Sequence, residues 1–142
     1  MKPLQAMQAT LAGEHAALYV YGVLGGRVSA SAQPDLAAAV AAGYAVHRGR
    51  RDLLRRMVTA AGGQPVAAEE AYALPTPCVT AEDLRTAAAR TEERCAAVYA
   101  QMVRSTAQAN RQWAIDALVD AAVRGLADGG GAEAFPGATE LG

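Results

Sequence analysis

Glu14, His47 and Glu92 are the residues of this 142-residue chain whose types and positions best suit chemistry. Each interrupts an apolar helical stripe. Two carboxylates and an imidazole brought together can ligate a transition metal, and a metal so held can activate oxygen or a peroxide. The same groups can instead form a closed polar network, because a charge taken out of water must be paired. Arg50 falls on the same side of its helix. Its planar fork binds two carboxylates and would repel a metal cation at close range. The expectation is therefore a buried cluster of Glu14, Arg50 and Glu92 with His47 beside it, no metal and no catalytic residue. The alternative is an iron site built from Glu14, His47 and Glu92. Under the first reading, removing Arg50 orphans two buried carboxylates.

The faces follow from projection at 100° per residue. Glu14 lies within the stripe of Met7, Leu11, Leu18 and Tyr21, and His15 lies at its edge. His47 is in line with Val40 and Leu54, and Arg50 sits one turn on, beside Met57. Arg51 flanks the stripe, while Arg48, Arg55 and Arg56 point outward. Glu92 lies on the flank of a stripe through Cys95, and Glu93 faces solvent. Asp116 and Asp120 fall away from the stripe Ile115, Leu118, Ala122 and Leu126.

Four helices must position these residues. The spacing predicts them at about 4–24, 35–61, 81–105 and 111–126, followed by a flexible tail over about 127–142. Gly25-Gly26 and Gly62-Gly63 are read as stops. Pro34 suits a first helical turn, and Thr80 with Asp83 forms a capping-box variant. Asn110 is read as the cap of the fourth helix. Between the second and third helices runs a connection with Pro65, Pro75 and Pro77, with Tyr72 and Leu74 tucked against the bundle. Periodicity does not decide whether the third helix runs parallel or antiparallel to the second. No segment reads as a strand, and the chain reads as one all-α domain, a four-helix bundle over 1–142.

Other features have plainer readings. Tyr19, Tyr21, Tyr44 and Tyr99 suit core positions with bonded hydroxyls. The Arg-rich run of the second helix reads as a solvated face with salt bridges to Glu69, Glu70, Glu82 or Glu93. Cys95 reads as core, and Cys78, in a Pro-flanked loop, as accessible. A formal net charge of -1 argues against nucleic acid as a partner. No apolar run suits a membrane span and no leader is visible, so a cytoplasmic protein is expected. Hydrophobic residues make up 52% but aromatics only 5%, so the core must be built from Ala, Val and Leu, which favours helix.

Four stretches carry a family resemblance: LAGEHAALYVYGVLGG over Leu11–Gly26, AVHRGRRDLLR over Ala45–Arg55, YALP over Tyr72–Pro75 and AFPG over Ala134–Gly137. Together they resemble the actinobacterial ferritin-like family known as domain of unknown function 4439. The resemblance implies a ferritin-like four-helix bundle and no established activity. Metal-loaded ferritin-like proteins take one Glu from each of two helices and Glu-x-x-His from each of the other two. Laid on this chain, Glu14 and Glu92 match two of the carboxylates and His47 matches one histidine. Tyr44 stands where the Glu of the second-helix motif belongs, and the fourth helix has no His. The expectation is a degenerate di-iron site in a structural or binding protein, assembled as a homodimer or other small homo-oligomer. Any small-molecule ligand is left open. The alternative is a mononuclear or atypical iron oxidoreductase.

Overall fold

The computed structural model describes residues 1–130 together with Pro136 and Gly137. Four helices are found among them and no strand: α1 (Pro3–Arg27), α2 (Pro34–Ala60), α3 (Ala81–Ser105) and α4 (Gln108–Ala127). At 1.5 Å per residue the first three are each about 37–40 Å long. Their ends follow local chemistry. Pro34 opens α2 with Asp35 in its first turn. Gly62 (φ +80) closes it as the Gly63 amide donates back to the Val58 carbonyl. Thr80 accepts from the Asp83 amide, and Asp83 accepts from the amides of Val79 and Thr80. Those bonds hold the Asp83 carboxyl below its ordinary range.

Two ends differ from expectation. Gly25 and Gly26 do not stop α1, since neither takes a positive φ. The helix continues to Arg27, whose guanidinium donates to the carbonyls of Pro77 and Cys78. Asn110 is not a cap: α4 starts at Gln108 after Ala107, with no side-chain cap. Phe135, in the expected tail, lies outside the described residues. Gly137 (φ +74) packs against the backbone of Ala96 and Ala97, where a Cβ would collide.

The long connection sets the helix directions. Gln8, near the start of α1, bonds the backbone of Gln64 and Val66. His15 donates to the Val66 carbonyl at 3.0 Å. Tyr19 meets Tyr72 at 5.7 Å between ring centroids, and Arg27 holds Pro77. The connection therefore climbs the whole length of α1 from its first turns to its last. α2 runs antiparallel to α1, so α3 starts at the end of α1 and runs parallel to α2, with α4 returning antiparallel to α3. Cys78 is buried, not accessible, because that crossover presses it against the end of the bundle.

The core divides along the bundle. One end packs Leu24, Leu36, Val40 and Leu84, and the other Met7, Leu11, Leu54 and Met102. Between them α3 and α4 meet through Ala96, Tyr99, Ala117 and Ala121. The inward stripe of α4 is Ala114, Ala117 and Ala121, with Leu118 half-buried, whereas Ile115 and Leu126 are exposed. This corrects the expected register. Small side chains at a helix contact permit close approach, so α3 takes the alanines and leaves the bulkier aliphatics outside.

Candidate functional site

Glu14, His47 and Glu92 meet in the middle of the bundle, and all three are fully buried. They come from three helices: Glu14 from α1, His47 from α2 and Glu92 from α3. His47 lies between the two carboxylates. Its Nδ1 is 2.7 Å from Glu14 Oε2 and its Nε2 is 3.1 Å from Glu92 Oε1. Two phenols close the network: Tyr21 donates to Glu92 Oε1 at 2.5 Å, and Tyr99 donates to Glu14 Oε1. One buried oxygen among the described residues has no partner, Glu92 Oε2.

Both neighbours of the His47 ring are carboxylate oxygens, which only accept. A neutral imidazole has one N–H and one lone pair, so it satisfies one of them and turns a lone pair on the other. An imidazolium donates to both. Burial alone would lower the His47 pKa. The bonds to Glu14 and Glu92 and their charges outweigh it and push the value up to about 9. Burial and the adjoining carboxylates raise both phenols, so Tyr21 and Tyr99 remain proton donors.

Arg50 is placed differently from the expectation that it clasps the carboxylates. It makes no ion pair with Glu14 or Glu92. Its NH1 donates to the Tyr99 hydroxyl at 3.2 Å, and its NH2 pairs with Asp120 Oδ2 at 2.7 Å. Arg124 donates to the same oxygen at 2.8 Å. Arg50 Cζ also lies 5.2 Å from the Tyr99 ring centroid, a cation–π contact. The reason is reach. One helical turn beyond His47, the guanidinium passes the carboxylates and arrives at α4. Asp120, half-exposed, is thus part of the site's outer layer. Burial works to raise its carboxyl, but the bonds from Arg124 and Arg50 hold it below the usual range.

Three contributors escape a reading by periodicity. For Tyr21 and Tyr99 the expected core position and bonded hydroxyl are found, but periodicity does not give their partners, Glu92 and Glu14. The third is Gly43, one turn before His47. A Cβ there would come within 2.7 Å of Tyr21 Cζ. Gly43 makes the space in which the Tyr21 ring packs against His47, with centroids 5.2 Å apart. A glycine inside a helix, at a cost of about 1 kcal/mol relative to alanine, is the signal that marks such a close approach.

The remaining candidates lie outside the cluster. His15 is on the connection side of α1. Tyr44 is 38% exposed, so the residue in place of the motif's Glu does not enter the site. The expected salt bridges from the Arg-rich run to Glu69, Glu70, Glu82 or Glu93 are absent among the described residues. Arg51 pairs with the adjacent Asp52 instead.

Both His47 nitrogens are committed to carboxylates, and the α4 carboxylate nearest the site, Asp120, is held by two arginines. Among the described residues no group of three or more His, Cys, Asp or Glu is disposed to hold a metal ion.

A family model for the domain of unknown function DUF4439 matches residues 6–140. The chain belongs to the DUF4439 family. A solved structure supports the four-helix fold: a conserved hypothetical protein, rv2844, from Mycobacterium tuberculosis. It is similar over 89% of this chain and 87% of that one, with 30% identity and a TM-score of 0.81. No curated protein matches this DUF4439 chain. None of its helices among the described residues is long and apolar enough to cross a membrane.

Proposed function

We propose that the chain is a ferritin-like bundle protein whose ancestral metal position is filled by a protein cation, the imidazolium of His47. Its role on this reading is structural or binding, not catalytic. The observation that carries it is the pair of contacts from one buried imidazole to two carboxylates. A di-metal site requires His47 to offer a lone pair to a metal. Here both nitrogens face acceptors, and the phenols of Tyr21 and Tyr99 occupy further carboxylate positions. A proton on His47 supplies the counter-charge that iron would otherwise supply. The rival reading, an iron oxidoreductase using Glu14, His47 and Glu92, demands that His47 release at least one carboxylate.

The test is elemental analysis of protein purified without chelator, followed by iron addition and an absorbance scan. The expected result is no stoichiometric iron and no new band. Stoichiometric iron that disappears in Glu14→Ala overturns the reading.

The same proposal includes self-association. Ile115, Val119, Val123 and Leu126 are all exposed on α4, from 37% to 59%. They recur at three and four residues and form one stripe. A second copy meeting this stripe through its own gives a two-fold, self-complementary contact.

A further inference from the structure

A cavity of about 390 Å³ lies beside the network, between α3 and α4. Its apolar wall is made mainly of Ala89, Ala96, Ala121, Ala122, Gly125 and Leu126. Three carboxylates also line it, Glu92, Glu93 and Asp128, together with one cation, Arg90. Glu92 is fully buried, and its Oε1 is taken by His47 and Tyr21 while its Oε2 has no partner among the described residues. A buried carboxylate oxygen without a donor is costly, and native structures rarely leave one so. Neither nearby guanidinium bonds Glu92: Arg90 donates to the Pro75 carbonyl and Arg124 to Asp120, so three carboxylates face the single lining cation. The cavity thus combines small apolar walls with a missing donor and a surplus of negative charge. Its volume is that of a small-molecule site, in which a few polar groups orient an apolar body.

We propose that this cavity binds a small organic monocation, an alkylammonium, whose charged end donates to Glu92 Oε2 and Asp128 and whose alkyl chain lies along the alanine wall. Glycine is required at position 130, where a Cβ would collide with the Gly125 carbonyl at 2.7 Å, whereas a Cβ on Gly125 would make only ordinary contact with Glu92 Cβ at 3.7 Å. The turn over Asp128–Gly130 therefore sits close to the α4 backbone and caps the cavity. Oε2 is sealed from solvent, so the proposal requires a local adjustment of the cavity wall for the ammonium to reach it. Supporting the placement, burial and the Glu92 charge push the Asp128 carboxyl up to about 6. A cation between the two carboxylates relieves that repulsion. The proposal extends the metal-free reading of the network, since it needs Glu92 Oε2 free of a metal.

The test is calorimetric titration of the full chain with n-hexylamine at neutral pH, against 1-hexanol and hexanoate as neutral and anionic counterparts. Saturable binding of hexylammonium is expected, with no measurable binding of the other two. Asp128→Asn leaves the His47 network intact and should weaken hexylammonium about tenfold or more, the size of a lost charged hydrogen bond. Glu92→Gln should abolish binding, and a circular-dichroism spectrum establishes that it folds. Equal binding of hexanol and hexylammonium, unchanged binding by Asp128→Asn, or no binding of hexylammonium overturns the proposal while leaving the His47 network standing. Tight zinc or iron binding lost in Glu92→Gln overturns both.

Discussion

His47 has two ring nitrogens and two carboxylate neighbours, so its proton links the whole network to folding stability. Its folded pKa of about 9 lies above the ordinary value of 6.5. The stabilisation is therefore complete below about pH 6.5 and is lost as pH rises through about 9. At about 1.4 kcal/mol per pKa unit the linked stability is on the order of 3 kcal/mol. Thermal melts across this range should show the midpoint falling on the alkaline side, and a His47→Gln variant should lose most of that dependence. His47→Ala orphans two buried carboxylates and should cost about 3–5 kcal/mol in chemical denaturation. Arg50→Ala should cost less, about 1–2 kcal/mol. Its partner Asp120 is half-exposed, and Glu14 and Glu92 keep their own donors. A loss from Arg50→Ala as large as that from His47→Ala would contradict this division. The burial of Glu14, His47 and Glu92 was legible because each breaks an apolar repeat. Which cation faces them was not. Projection gives a side chain's direction around its helix, but not how far along or across the bundle it reaches.

At the scale of elements, α2 carries two internal glycines with opposite roles. Gly43 is pressed by the Tyr21 ring, whereas a Cβ on Gly49 meets nothing within 4 Å. Gly49→Ala should stabilise by about 0.5–1 kcal/mol through helix propensity alone. Gly43→Ala should destabilise by about 1–3 kcal/mol, because overpacking displaces Tyr21 from Glu92. Matched urea melts of the two variants check the contrast, and a stabilised Gly43→Ala would show that the ring can yield. Helix existence followed from periodicity in all four segments. Two boundaries did not. Gly25 and Gly26 are compatible with helix whenever a helix has contacts beyond them, as α1 has through Arg27. The α4 face differs from the hydrophobic expectation because its two candidate stripes are offset by one residue, Ala114/Ala117/Ala121 against Ile115/Leu118/Ala122. Hydrophobicity favours the larger residues, while close packing on α3 selects the smaller.

For the whole molecule, the Pro-containing crossover decides topology. Its contacts with Gln8, His15, Tyr19 and Arg27 span the length of α1 and make α2 and α3 parallel. Those contacts are long-range pairings of ordinary residues, so no local pattern announces them. The bundle buries the alanines of α4 and leaves Ile115, Val119, Val123 and Leu126 outside. Light scattering should report a homo-oligomer, and the double variant Val119→Glu with Val123→Glu should be a monomer with a near-unchanged melt. A wild-type monomer at high concentration would contradict self-association through this face.

On the proposed reading a protonated His47, and not a metal, holds Glu14 and Glu92. Nitrogen-15 NMR of the His47 imidazole, followed from pH 6 to pH 11, tests it most directly. Both ring nitrogens should be protonated at neutral pH, with a titration near pH 9 and no change on adding ferrous iron. A singly protonated ring at neutral pH, or a His47 resonance broadened by stoichiometric iron, would contradict it.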